Sequence, residues 1–325
     1  MGQPDADQEV HVDVRGVLSG ADVAAVTVLC QAAADADGVY PLSEHVSLHL
    51  RYGGEGPDWN LLLRTGDGLL AGYAHLDPTD AVAGPAAEVV VHPAHRRRGY
   101  GRLLVRAAEA EAHDERLRLW AHGDHPAARA LAVSLGYEEI RQLWQMRRSL
   151  HSPLPAVQLP PGVVLRAFRP GEDDEAWLAL NARAFEHHPE QGGWTIEDLR
   201  ARMRETWFDP DGFLLAEDAD HTGPDGRRPL VAFHWTKVHG GDHRTDGHGH
   251  DPIGEVYVVG VDPERTGHGL GRAVTVAGLQ RMRSRGLAQA MLYVEADNAP
   301  ALAVYRGLGF THWDTDVMFR RPPRR

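Results

Sequence analysis

An α/β (α+β) chain made of two copies of one domain is what the sequence predicts, and three observations carry the prediction. Residues Gly254 to Gly271 read GEVYVVGVDPERTGHGLG, in which the apolar, β-rich run Val256 to Val261 leads through a glycine turn into a helical segment. Ala87 to Gly101, AEVVVHPAHRRRGYG, repeats strand, x-Pro, polar loop and Gly-x-Gly, with Gly99 and Gly101 standing 170 positions before Gly269 and Gly271. Leu135-Gly136-Tyr137 recurs as Leu308-Gly309-Phe310 at a spacing of 173. Three landmarks in one order describe a duplicated domain.

A helix that starts on such a turn presents free backbone N–H groups and the positive end of its dipole, which suit a phosphate or pyrophosphate. Glycine lets that backbone come close to the anion. The length of 325 residues has room for about two domains. A net charge of -12 with 42% hydrophobic residues argues against a nucleic-acid partner. Cys30, the single cysteine, sits in an apolar helical pattern and reads as a buried small residue. The opening MGQPDADQEV lacks the basic and apolar regions of a signal peptide, and no run reaches the ~18 apolar residues of a membrane span. A cytoplasmic monomer is the expectation.

Taken in order, the polar residues 1 to 10 are followed by Ala21 to Ala36, an amphipathic helix broken at Asp37-Gly38. Val39 to His49 reads as a polar stretch carrying Glu44. Leu61 to Arg64 and Leu69 to Leu76 form a hairpin around Gly66-Asp67-Gly68. Ala87 to Val91 is the next strand. Arg96, Arg97 and Arg98 follow, beside the helix start, where phosphate contact is expected. Leu103 to His113 is that helix, Leu117 to Ala121 a strand, Ala127 to Leu135 a helix closed by Gly136, and Tyr137 to Arg147 the last strand of this half. Pro153, Pro155, Pro160 and Pro161 mark residues 151–161 as a linker, which sets the domains at 1–150 and 162–325.

The second half restarts with a strand, Val163 to Phe168, and a helix, Asp173 to Phe185. His187-His188 lacks companion cysteines or carboxylates at metal-ligand spacing, and His248-Gly249-His250 lies in a His/Gly-rich loop that binds nothing in particular, so no metal is expected. Thr195, with Asp198 three residues on, begins another helix. Phe213 to Glu217 and Leu230 to Lys237 are antiparallel strands. Arg272 to Arg285 is the helix after the glycine turn, then come strand Gln289 to Val294, helix Ala299 to Leu308 and strand Thr311 to Phe319.

The V-x-V-x-P strand end, the R/Q-x-x-G-x-G turn and the later helix ending in Leu-Gly-aromatic resemble the GNAT acetyltransferase family, present twice. The resemblance implies a mixed central sheet flanked by helices in each half. It also implies acetyl-CoA as cosubstrate. The strand backbones, Val89, Val90 and Val91 or Val259, Gly260 and Val261, would hold its pantetheine arm. The turns Arg96, Arg97, Arg98, Gly99, Tyr100, Gly101 and Thr266, Gly267, His268, Gly269, Leu270, Gly271, Arg272 would hold its pyrophosphate. Asn298 and the helix Ala299, Pro300, Ala301, Leu302, Ala303 would lie near the coenzyme. HPEQGGW (His188 to Trp194), WFDPDG (Trp207 to Gly212), FHWTKVH (Phe233 to His239) and LYVEADN (Leu292 to Asn298) resemble, more narrowly, the branch that acetylates the cysteinyl amine of cysteinyl-glucosaminyl-inositol. That likeness implies substrate contacts from Glu44, Glu190, Lys237, Glu255 and Tyr293.

Acetyl transfer to an amine requires removal of a proton from the acceptor and delivery of one to the departing thiolate. A carboxylate and a tyrosine suit those tasks at neutral pH. The repeat landmarks set Pro85 opposite Glu255 and Ala132 opposite Tyr305. Only the second half holds both groups, so Glu255 is the expected base and Tyr305 the expected acid, with the first half a coenzyme binder that does not turn over. Thr266 departs from the Gln or Arg that heads the family turn, and Arg265 or Arg272 are the candidates to replace that donor. The residues leave two other readings open: a tandem acetyltransferase for another small amine or an aminoglycoside, and a non-catalytic acetyl-CoA sensor.

Overall fold

Ser19 and Gly38 set the limits of the first helix. The Ser19 hydroxyl accepts from Asp22 N at 3.2 Å while the Asp22 carboxylate accepts from Ser19 N, and at the far end Gly38, at φ +76, donates to Ala34 O. The helix α1 (Gly20–Asp37) follows β1 (His11–Arg15), a strand the sequence reading left unassigned. Glu44, expected in a polar loop, instead opens α2 (Glu44–Tyr52). Ser43 caps that helix and Val46 buries into the core beneath it, so a cap and one apolar face outweigh the polar composition. The computed structural model describes residues 10–53, 57–80, 83–223, 226–240 and 252–322, which leaves His248-Gly249-His250 outside the described residues.

The remaining elements of the first half are β2 (Trp59–Arg64), β3 (Leu70–Asp77), β4 (Ala86–Val91), α3 (Tyr100–Ala112), β5 (Arg118–Ala121), α4 (Pro126–Ser134) and β6 (Glu138–Ser149). The second half carries β7 (Val163–Ala167), α5 (Asp174–Ala184), α6 (Pro189–Gly192), α7 (Ile196–Met203), β8 (Phe213–Asp218), β9 (Leu230–His239), β10 (Ile253–Val261), α8 (Leu270–Ser284), β11 (Gln289–Glu295), α9 (Ala299–Gly307) and β12 (Thr311–Arg320).

These elements form two units whose boundaries differ from the sequence division. One unit takes the described residues up to 143 together with 314–322, and the other takes 144–313. The last strand of the chain therefore belongs with the first half. Val317 to Arg320 of β12 pair antiparallel with Ala121 to Arg118 of β5, and Val317 and Phe319 bury among Leu104, Leu119 and Tyr137. In that unit the strand order is β1-β2-β3-β4-β5-β12, with β4 and β5 parallel. In the second unit the order is β6-β11-β10-β9-β8-β7, with β10 and β11 parallel. Met146 and Leu150 here join the core of Val276, Leu279, Leu292 and Leu308. Residues 151–161, expected to be a linker, lie within this unit, where Gln280 donates to Pro155 O and Arg283 to Ser152 O.

An ion cluster ties β12 into the first unit. His122, just after β5, has Nδ1 3.0 Å from Asp316 and Nε2 3.5 Å from Glu88, while Gly123 N donates to Asp316 and Ser43 N to Glu88. Burial alone would push the His122 imidazole down, but its bonds to Asp316 and Glu88 outweigh that and carry it up to about 10. A folded value above the unfolded ~6.5 gives stability that is complete below about pH 6.5 and is lost as pH rises through about 10. Asp316→Asn should therefore lower the thermal midpoint most at pH 6 and progressively less toward pH 10, in unfolding scans of both proteins across that window.

Candidate active site

Each unit has a place where its two parallel strands part. The ladder between β10 and β11 runs from Ile253↔Gln289 to Val256↔Leu292 and stops, although β10 continues to Val261 and β11 to Glu295. Between β4 and β5 the ladder runs from Ala86↔Arg118 to Glu88↔Trp120, and β4 goes on alone to Val91. Beyond these points Val259, Gly260, Val261 and Val89, Val90, Val91 remain paired only on the other side, to β9 and β3. Their exposed strand edge suits an extended ligand that carries amide groups.

The turns that follow share one backbone. Gly267 and Gly269 have φ +83 and +77, and Arg97 and Gly99 have φ +66 and +86 at the matching positions. Neither Gly99 nor Gly269 caps its helix with a side chain, so the first amides of α3 and α8 are left for an anion. The flanking side chains differ in use. Arg96 is committed to Asp37 by two 2.7 Å bonds and to Val91 O, whereas Arg97 and Arg98 are exposed. In the second turn the Thr266 hydroxyl donates inward to Pro263 O, His268 bonds Thr266 O, and Arg265 pairs with Asp218. Arg272 is exposed, while Tyr100 and Leu270 bury their side chains and offer only backbone. Asn298 caps α9 by accepting from Ala301 N at 3.1 Å, which places Ala299, Pro300, Ala301, Leu302 and Ala303 in the first turns of that helix.

A carboxylate stands where β10 and β11 part. Glu255 is 7% exposed, and its Oε2 lies 2.5 Å from His239 Nε2. Its cross-strand neighbour Lys237 is also buried, with Nζ 4.9 Å from the Trp207 ring centre and 5.3 Å from that of Tyr257. Tyr257 is the extra residue of a β-bulge: Val256 pairs with Thr236 and Val258 with Trp235. The bulge turns Tyr257 into the aromatic cluster of Trp194, Trp207 and Trp235, where its hydroxyl accepts from Arg202 Nε at 2.7 Å. Glu255, Lys237 and Tyr257 thus share the α5/α7 face of the sheet.

Tyr305 occupies the other face. It packs from α9 against the core that contains Val256, Leu292 and Val276, edge-on to Phe310 at 5.9 Å. Burial pushes its phenol up to about 12, so it keeps its proton at neutral pH. Tyr293, on β11, is 39% exposed and its hydroxyl accepts from Gln145 Nε2 at 2.8 Å. Glu44 belongs to the first unit, in the first turn of α2, and the Glu190 side chain lies outside the described residues. His239, Tyr257, Trp207 and Arg202 were not foreseen as site residues. The period of two along a strand was the available signal for His239, two residues after Lys237.

The first unit lacks this arrangement. Its β3 and β4 pair without a bulge, with Ala86 opposite Asp77 where the second unit has Glu255 opposite Lys237. Its α4 carries Ala132, buried, at the place of Tyr305.

The Acetyltransferase (GNAT) family pattern matches residues 175–310, and an Acetyltransferase (GNAT) domain pattern matches 58–139. The chain is 55% identical to a protein of Streptosporangium roseum described as mycothiol acetyltransferase, over 96% of this chain and 99% of that one. A protein of the same description from Acidothermus cellulolyticus is 56% identical over 96% and 95%. Among solved structures, a GCN5-related N-acetyltransferase from Sphaerobacter thermophilus matches with TM-score 0.66 at 26% identity, covering 96% of this chain and 97% of that one. A tandem GNAT protein from the clavulanic acid pathway shares the fold at TM-score 0.69 and 20% identity, over 98% and 100%.

The left-handed turn conformation is itself testable. Gly269→Ala forces a side chain into φ +77, at a cost of about 1–2 kcal/mol. Calorimetry should read this as a fall of about 2–8 °C in thermal midpoint.

Proposed function

The chain belongs to the mycothiol acetyltransferase family of tandem GNAT proteins, and from that premise we propose how its residues work. It transfers the acetyl group of acetyl-CoA to the cysteinyl amine of desacetylmycothiol (cysteinyl-glucosaminyl-inositol), releasing mycothiol and CoA. The observation that carries the residue assignment is the buried Glu255 beside the point where β10 and β11 part.

Glu255 takes a proton from the acceptor ammonium, directly or across one water, and frees the nitrogen lone pair to attack the thioester carbon. N–H groups along the open edge of β10 are the donors for the carbonyl oxygen as negative charge develops on it. As the C–S bond breaks, Tyr305 delivers the phenol proton that burial has preserved to the sulfur. Val259, Gly260 and Val261 line the pantetheine arm, and the amides of Gly267 to Gly271 hold the pyrophosphate, with Arg272 the exposed cation at this turn. Lys237, Glu190 and Tyr293 contact the acceptor, whose hydroxyls and amine call for convergent polar groups. The Lys237 ammonium, held above two aromatic rings, is fixed before any ligand arrives.

The first unit we read as an acetyl-CoA binder without turnover, since it keeps the open strand and the turn but has neither carboxylate nor tyrosine at the matching places. A monomer in the cytoplasm completes the proposal. Among the described residues no helix is long and apolar enough to cross a membrane, and no cluster of His, Cys, Asp and Glu could hold a metal ion.

Turnover of acetyl-CoA with the cysteinyl-glucosaminyl-inositol acceptor is the test. Glu255→Gln and Tyr305→Phe should each cost about a hundredfold or more in rate, while Gly99→Glu in the first unit leaves the rate largely intact. A wild-type protein that binds acetyl-CoA yet is inert on this acceptor would sink the substrate reading.

A further inference from the structure

One oxygen of Glu255 is already engaged, and the partner follows from strand register. Ile253 pairs with His239 and Glu255 with Lys237, so Lys237 and His239, two residues apart on β9, share the face of the carboxylate. The imidazole reaches diagonally across the pair of strands to place Nε2 2.5 Å from Oε2. His239 exposes 31% of its side chain and Glu255 only 9%, so the ring stands between a buried carboxylate and solvent.

We propose that His239 is a positioning residue for the acetyl transfer: its Nε2–H holds Glu255 Oε2, fixes the carboxylate rotamer and leaves Oε1 as the atom that receives the acceptor proton. This rests on the reading of Glu255 as base. A donor held on one oxygen limits the carboxylate to one orientation. Lys237 lies across the strand with its ammonium over Trp207 and Tyr257, Arg202 of α7 is turned to the Tyr257 hydroxyl, and from β11 the register partner Met291 is neutral while Tyr293 is bonded to Gln145.

The experiment is steady-state turnover for His239→Ala, His239→Gln and Glu255→Gln, with thermal midpoints taken alongside. His239→Ala should lower kcat about tenfold or more at neutral pH, with the KM for acetyl-CoA within about twofold. His239→Gln, whose amide can donate from nearly the same place, should recover most of the rate. If alanine destabilises the strand end, His239→Val supplies a strand former without a donor and is read in the same way.

Wild-type kcat in a folded His239→Ala protein would overturn the proposal, as would a glutamine variant no better than alanine. The base reading has its own arm. Full activity in Glu255→Gln removes that reading and this one with it, whereas an inactive Glu255→Gln beside a normal His239→Ala removes only the role of His239.

Discussion

The parting of two parallel strands is the constraint on which the rest of the molecule depends. After Val256↔Leu292 the β10 backbone loses its neighbour on one side, and unpaired strand groups must find another partner or water. An extended, amide-bearing ligand supplies one. In the proposed mechanism that opening lets a carboxylate on one face and a tyrosine on the other serve a single reaction. It also explains the glycine turn, because a chain leaving the end of the open strand must bring uncapped helix amides to the same ligand.

Duplication preserved the binding geometry more faithfully than the chemistry. Both units keep the parted strands and the pair of left-handed turn residues, even where the first unit must hold Arg97 at φ +66 in place of a glycine. The bulge at Tyr257, by contrast, has no counterpart between β3 and β4. On the corresponding face the first unit places Glu88, bound by Ser43 N and His122, beside a buried His75. A carboxylate spent on an internal ion cluster cannot accept a substrate proton, so the two halves differ in what their buried charge is for. In the second unit Glu255 is bonded to His239 at the end of a strand beside the open ladder.

Strand membership shows how far a repeat in sequence can differ from a unit in space. Landmarks spaced 170 and 173 residues apart describe two equal halves, yet β12 completes the sheet of the first unit and Trp144 to Ser149 belong to the second. Val317 and Phe319 supply apolar faces to one core, and Met146 and Leu150 to the other. The proline-rich stretch after β6 reads in sequence as a linker because proline excludes regular structure. Its carbonyls are nonetheless held by Gln280, Arg148 and Arg283.

What the sequence determined by itself was local. Helix limits at Gly38 and Thr195, and the strand, turn and helix around Gly269, follow from periodicity, caps and left-handed glycines, each a property of a few adjacent residues. The asymmetry between the repeats, with the family resemblance, then pointed to Glu255 and Tyr305. Only the tertiary structure decided where β12 pairs, where the parallel ladders stop, that Tyr257 is a bulge, that Arg96 is turned to Asp37 rather than to the turn, and that His239 holds Glu255. Each of these is a choice of register or partner between residues far apart in the chain, and a slip of one residue would reverse every face. No local pattern encodes that choice, because it is settled by which cores close when the sheets assemble.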